Sequence, residues 1–287
     1  MDKKITALTM LILFAINAQA VSLLDINPDG RSAAMGEATS PLSEGAIGMW
    51  NNPAGLAAGN FGSAAFGSHK WIADVTGTHI AGSLRVQEWG VGVTVRSAGT
   101  ENLEARETPI LQPQGTFGVR ESDFGFGLAR NIGDKFRVGA NSTYRYSRIE
   151  DDVANQWLYG FGAQYQAMHN LHTGLSMQYT NGGNGDNKGS FVPNAGLEYD
   201  YDLPAGAIVS GAADLRIEEN KMRGGVGAEF TMLHMLSVRG GYQFGYDSQG
   251  ISYGVGACWK QLKISLGIVP FSNDLGTTTR VSVEFGS

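Results

Sequence analysis

The sequence predicts an all-β fold: a transmembrane antiparallel β-barrel of about 14 strands, with an N-terminal plug, or hatch, segment inside. Three observations predict it. Fourteen segments alternate apolar and polar residues with a period of two. They average about eleven residues, close to the ~9–11 that a tilted strand needs to cross a bilayer and well above the ~5–6 of a soluble strand. The connections between them alternate, as a tendency, between tight and long. An even count with that asymmetry puts both ends of a closed barrel on one side.

The elements follow in chain order. Residues 1–20 read as a signal peptide. Lys3 and Lys4 precede an apolar run from Ile5 to Ile16, and Ala18-Gln19-Ala20 is a small-x-small cleavage site. The run is shorter than the ~20 residues of a membrane span, which disfavours an N-terminal anchor. Residues 21–61 have neither helical nor strand period, and their core is the Gly-rich stretch "GAIGMWNNPAGLAAGNFG", 45–62. Residues 62–287 carry the barrel. Its strands are expected at 62–71, 76–86, 88–98, 122–131, 134–148, 156–168, 170–180, 190–200, 205–217, 222–232, 234–245, 250–260, 262–271 and 277–286.

The alternation is explicit in "KFRVGANSTYRYS" (135–147). Phe136, Val138, Ala140, Tyr144 and Tyr146 share one face, and Arg137, Asn141, Thr143 and Arg145 the other. A soluble sandwich would alternate too, with its apolar face inward. Strand length, strand number and aromatic residues near strand ends favour a barrel with its apolar face toward lipid. Trp71, Trp89, Trp157, Trp259, Tyr179 and Tyr253 are the girdle candidates. Tight connections are expected near Gln87 and at 131–134, 167–170, 200–205, 232–235 and 260–262, on the periplasmic side. The opposite set includes 99–121, "IEDDVAN" (149–155), 181–189, 246–250 and 270–278.

Composition excludes several classes. The net charge is −6 and the cations are dispersed, so nucleic acid is no partner. Cys258 is the lone cysteine and makes no intramolecular disulfide. The chain has 41 glycines, roughly twice the usual share of about 7%, and only 8 prolines; this suits strands that bend, turn or approach closely. The one G-x-S-x-G, Gly250-Ile251-Ser252-Tyr253-Gly254, opens an alternating strand segment rather than a strand-to-helix turn, and no nucleophile stands out. The five histidines (His69, His79, His169, His172, His234) show no metal spacing. "GNGDNKG" (183–189) lacks the acidic spacing of a calcium loop. The protein is read as no enzyme, with no cofactor and no metal.

The polar strand faces place Arg85, Arg96, Arg137, Arg145, Arg216, Arg223, Arg239, Lys260, Lys263 and Arg280 in the lumen, with Asp214, Glu229 and Glu284. The plain reading is a structural charge network. The sharper one is a polar conduit for anionic head groups, such as fatty-acid carboxylates.

"INPDGRSAAMGEA" (26–38) followed by "WNNPAGLA" (50–57) resembles the N-terminal signature of the PorV/PorQ family of FadL-like outer-membrane barrels. The matching positions are Pro28, Arg31, Met35, Gly36, Trp50, Asn52, Pro53, Ala54, Gly55 and Leu56. Gly30 stands where the family often has alanine, and Ser43-Glu44-Gly45 where an Asp-rich segment is common. "ARNIGDKFRVG" (129–139) looks like the family's hairpin. The resemblance implies fourteen strands and a segment before the first of them that folds inside as a plug, with Asn-Pro-Ala at its heart. The plainer alternative is a periplasmic tail with one turn. The resemblance further implies residence in the outer membrane of a Gram-negative-type bacterium, with outer-membrane lipid as a partner. It implies a non-enzymatic role in type IX secretion or surface attachment of exported proteins. Secretion components or cargo proteins would then meet the loops 99–121 and 181–189. The alternatives are a FadL-like channel with a hydrophobic small-molecule ligand, and a structural barrel without transport.

Overall fold

A computed structural model describes residues 22–59, 61–105, 115–181, 190–218, 221–273 and 275–286. The signal-peptide expectation and most of the loop at 181–189, including "GNGDNKG", lie outside the described residues. So does the tip of the 99–121 connection.

Fourteen antiparallel strands close into a barrel: β1 (Gly62–Lys70), β2 (Thr76–Val86), β3 (Trp89–Ala105), β4 (Gly115–Ile132), β5 (Phe136–Ile149), β6 (Asp152–Met168), β7 (Leu171–Thr180), β8 (Ser190–Leu203), β9 (Ala207–Glu218), β10 (Lys221–Met232), β11 (Leu236–Phe244), β12 (Ile251–Trp259), β13 (Leu262–Pro270) and β14 (Thr277–Gly286). Each strand pairs with its sequence neighbours. The seam runs between β1 and β14, from Ser63 opposite Gly286 to Lys70 opposite Thr279. Closure removes every sheet edge, so no backbone donor row faces hydrocarbon.

The alternation has the expected sense. Ile80, Val93, Phe126, Phe161, Leu175, Leu197, Val238 and Val255 are exposed on the outer surface, on strands all round the wall. A continuous apolar belt of this kind belongs against lipid. No helix among the described residues is long and apolar enough to cross a membrane, so the crossing is made by strands. Trp89, Trp157, Trp259, Tyr179 and Tyr253 face outward as expected. Trp71 sits in the link after β1, edge-on to Phe271 at 6.4 Å.

Two expectations fail at the long-loop end. The 99–121 connection is mostly strand: β3 runs on to Ala105 and β4 begins at Gly115, across a register shift between Thr100 and Leu103. "IEDDVAN" is no loop either. Ile149 pairs with Asp152 around a tight turn in which Glu150 has φ 56°. Beyond the apolar belt both faces of a strand meet water, so the hydrophobic pattern stops while backbone pairing continues. A third correction concerns Lys260. It lies in the turn after β12 with φ 55°, and its ammonium sits over the Trp259 ring, 5.1 Å from the centroid, on the outside of the wall.

Candidate functional site: the N-terminal segment in the lumen

Residues 22–59 lie inside the barrel and touch strands all round its wall. The segment holds one short helix, α1 (Gly30–Ala34), and four 3-10 turns, at Leu23–Asp25, Ser40–Leu42, Gly45–Met49 and Pro53–Ala57. Elements this short gain little from their own hydrogen bonds. Caps and wall contacts hold them.

The path starts near the long-loop end. The Ser22 hydroxyl donates to Glu121 at 2.5 Å. Arg96 donates to the Leu24 carbonyl at 2.9 Å, and Arg145 binds Asp25 at 2.9 Å. Both arginines also hold Asp123, which is fully buried; Arg145 does so through Nε at 2.9 Å. Asp29 then caps α1, accepting from the amides of Arg31 and Ser32 at 3.0 Å each. Gly30 presses on the wall so closely that a Cβ there would lie 2.6 Å from the Ser265 carbonyl oxygen. Arg31 reaches across the lumen to Glu198 and Glu229, and Glu229 is shared with Arg239.

Gly36 and Glu37 follow with φ of 67° and 65°. This left-handed pair reverses the chain and buries the Glu37 carboxylate. There it accepts from the Asn27 amide at 2.7 Å and the Ser32 hydroxyl at 3.2 Å, and pairs with Arg280. Burial alone would raise the Glu37 carboxyl. Arg280, with Arg216 behind it, outweighs that and holds it below the usual carboxylate range. For Arg31, burial works against the charge, but Glu198 and Glu229 prevail and hold the guanidinium well above its ordinary value.

The second half of the signature packs against the opposite wall. Asn52 is fully buried. Its Oδ1 accepts from the Ala54 amide at 3.1 Å, capping the Pro53–Ala57 turn, and its Nδ2 donates to the carbonyls of Pro41 (2.6 Å) and Leu175 (3.1 Å). Pro53 opens the turn at a position whose missing N–H costs nothing. Gly55 is pressed against the Ser43 carbonyl. Trp50 donates from Nε1 to Thr94 at 2.8 Å. Met35 packs with Ala38 and Ala212; Met49 and Leu56 pack with Ile47, Ala65 and Ala81. Wall glycines receive the segment's backbone: Gly90 meets the Leu56 carbonyl, Gly139 that of Pro53, Gly174 that of Pro41, Gly225 that of Gly36 and Gly267 that of Gly30.

The lumen charges form separate groups rather than one network. Arg96, Arg145, Asp123 and Asp25 make one. Arg31, Glu198, Glu229 and Arg239 make another, and Arg280 with Glu37 a third. Arg137 binds Glu44 at 2.6 Å. Arg85 closes the exit of the segment by donating to the Gly59 carbonyl. Asp214, Arg216 and Arg223 stand on β9 and β10, with Arg216 3.6 Å from Asp214 and Arg223 2.5 Å from Glu218. Asp25, Glu37, Asp123 and Glu198 are partners that the face pattern alone did not single out. His69 and His79 form a buried pair, 2.8 Å between Nδ1 and Nε2. No group of three or more metal-ligating side chains occurs among the described residues.

The segment lines two cavities. One, of about 580 Å³, opens on the short-turn side among Arg31, Arg137, Glu198, Glu229, Lys263 and Glu284. The other, of about 120 Å³, lies on the long-loop side among Trp50, Arg96, Asn141, Asn194 and Arg216. Both are of mixed lining: Leu42, Ile47 and Ile264 stand among the charges of the first, and Leu24, Met49, Leu158 and Met177 among the polar groups of the second.

No protein-family model matches the sequence, and no curated protein matches it. Solved structures do. The toluene transporter TbuX of Ralstonia pickettii is 13% identical over 92% of this chain and 98% of its own, with a TM-score of 0.57. CymD, a monoaromatic hydrocarbon channel, is 12% identical over 93% and 99%, with a TM-score of 0.63. A Pseudomonas aeruginosa FadL homologue is 10% identical over 90% and 98%, with a TM-score of 0.55. At these identities the likeness is one of fold: a FadL-like barrel.

Proposed function

We propose that the protein is a non-enzymatic outer-membrane channel for small hydrophobic molecules, closed by its N-terminal segment, residues 21–61, acting as a plug. The observation that supports this reading is how the segment is held. It adds no strand to the wall and is fixed by caps, side-chain bonds to wall carbonyls and ion pairs. Such contacts break in groups while the barrel stays closed. The solved barrels with this fold include transporters and channels of toluene and other monoaromatic hydrocarbons. Passage requires the plug to shift, because it lies in the lumen between two separate cavities, one toward each end of the barrel.

The test is uptake of labelled toluene into cells that carry the protein as their only such barrel. Comparison is with a variant whose plug is cross-linked to β1 through Ala46→Cys and Ser63→Cys, in a Cys258→Ser background. The Ala46 amide donates to the Ser63 hydroxyl at 2.7 Å, so the two positions adjoin. Uptake that depends on the barrel and stops on cross-linking is expected. Uptake equal to that of cells without the barrel overturns the reading.

The two-part N-terminal signature at 26–38 and 50–57 favours a second reading, of PorV/PorQ type. The barrel would then receive or anchor exported proteins in association with type IX secretion, at the outer ends of β3–β4 and at 181–189. Co-purification of sorting-domain proteins or secretion components from outer membranes in mild detergent supports it. Recovery of the barrel with lipid alone counts against it.

A further inference from the structure

The wall holds the two halves of the plug in different ways. Among the described residues, the ion pairs between plug and wall fall on the first half: Asp25 with Arg145, Arg31 with Glu198 and Glu229, Glu37 with Arg280, and Glu44 with Arg137. Residues 45–59 carry no charged side chain. Neutral hydrogen bonds hold them, from Trp50 to Thr94, from Asn141 to the Met49 carbonyl at 2.9 Å and from Asn131 to the Ala57 carbonyl at 3.0 Å. Arg85 reaches only the last residue, at the Gly59 carbonyl. Glycines in the left-handed region bracket this half, Gly45 with φ 62° and Gly59 with φ 78°.

The wall behind this half is small and uncharged, with Ala65, Ala81 and Ala129 in one apolar cluster with Ile47, Met49 and Leu56. Gly92 on β3 and Gly127 on β4 are direct cross-strand partners, and Gly125 follows two residues on. Together they leave a trough, and two buried side chains fill it. A Cβ on Gly92 would meet Leu56 Cδ2 at 2.5 Å and Met49 Sδ at 3.0 Å; one on Gly127 would meet Met49 Sδ at 2.6 Å and Leu56 Cδ1 at 2.7 Å. At Gly139 and Gly267 the plug fills such a gap with backbone; here it does so with the ends of flexible side chains. The same cluster spans the space between the two cavities. Met49 lines the one on the long-loop side and Ile47 the one on the short-turn side.

A methionine and a leucine lying on bare backbone swing aside by changing rotamer, whereas parting a buried ion pair leaves charges unpaired, at far greater cost. A solute that takes their place must restore the apolar contact they give up and fit the space they leave. On the channel reading above, on which this rests, we propose that apolar solutes pass through this trough, between residues 45–59 and β1–β4. Met49 and Leu56 are the stopper that sets the size admitted, and the ion pairs of the first half stay closed during passage.

Two measurements on the full barrel test this, in a Cys258→Ser background and with heat-modifiable migration on gels to confirm folding. The first locks the first half in place. The Ser252 hydroxyl donates to the Ala34 carbonyl at 3.0 Å, so a disulfide between Ala34→Cys and Ser252→Cys ties α1 to β12. Toluene uptake that survives this bridge, yet stops with the bridge between positions 46 and 63, is expected. Uptake stopped by both bridges overturns the proposal. The second measurement removes the stopper from the barrel bridged at 34 and 252. Met49→Ala with Leu56→Ala should raise ion conductance in planar bilayers severalfold. Met49→Ala alone should raise uptake of naphthalene relative to toluene by about threefold or more. Should the double variant fail to fold, Leu56→Ala alone is expected to raise conductance in the same sense. Unchanged conductance or unchanged solute preference in the folded variants overturns the proposal. If no toluene uptake depends on the barrel, the channel reading fails by itself, and conductance decides the trough: a rise upholds it as the way past the plug, and no rise overturns it.

Discussion

The side-chain amide of Asn52 joins the two halves of the N-terminal segment to each other and to the wall. It donates to Pro41 at 2.6 Å and to Leu175, on β7, at 3.1 Å, while its oxygen caps the turn that begins at Pro53. Asn52→Ala therefore takes a donor from the carbonyls of Pro41, Leu175 and Ala163, of which Pro41 keeps a 3.3 Å bond from Gln164, and removes the acceptor of the Ala54 amide. A buried group left unpaired costs roughly 1–3 kcal/mol. The expected result is faster hydrogen exchange at 41–57, with exchange in the strands unchanged and the channel opening more often in planar bilayers. Unaltered protection of 41–57 would contradict the role given to Asn52.

Gly30 and Gly82 make a controlled pair. A side chain at Gly30 would collide with the Ser265 carbonyl, a backbone atom that cannot step aside, whereas one at Gly82 points into open space. Gly30→Val is expected to undock α1 and expose 22–59 to limited proteolysis, and Gly82→Ala to leave the digestion pattern as it is. Equal resistance in both variants would show that α1 is not held where the structure places it.

Acid acts on the plug through Glu37. Its carboxyl lies below the usual 4.5 in the folded state because Arg280 faces it. A depressed carboxyl contributes stability above its unfolded value, and that contribution is lost as pH falls through the folded value. Proteolytic protection of the plug, followed with an acid-tolerant protease, should thus be flat near neutrality and decline below about pH 4.5. Glu37→Gln should lower protection at neutral pH and flatten that decline. An acid decline of the same depth in the variant would assign it to other carboxylates.

Val93 stands on the outer face in the middle of the apolar belt, more than half exposed. Val93→Arg is expected to cost ~2–4 kcal/mol of barrel stability in a bilayer. Urea titration of the protein folded into lipid vesicles measures it. A cost below about 1 kcal/mol would place Val93 outside the hydrocarbon.

The strands were readable because lipid imposes one rule on every outward residue. From Trp89 to Val95 or Phe136 to Tyr146 that rule marks each second position. It lapses at the outer hairpins, which is why β3 past Ala98 and β6 before Gln156 read as loop. The inward face obeys no such single rule. Which charges meet there depends on cross-strand register and on the plug: Asp123 serves Arg96 and Arg145 because the three are in line across β3, β4 and β5. Lys260 was misplaced because a left-handed turn residue interrupts the alternation one step beyond the strand. The glycine excess suggested bends and close approaches. The structure gives much of it to the second, at points such as Gly139 and Gly267, where the wall has no room for a side chain.

Those bare positions on the wall have a consequence for anyone hoping to make an open pore. Cutting away the first sixty residues would leave a tube whose inner surface is notched wherever backbone once rested, with Glu198, Glu229 and Arg280 deprived of the partners that the plug supplies. Cylinder and filling are shaped as one casting, so the emptied shell should be softer and slower to assemble than the whole.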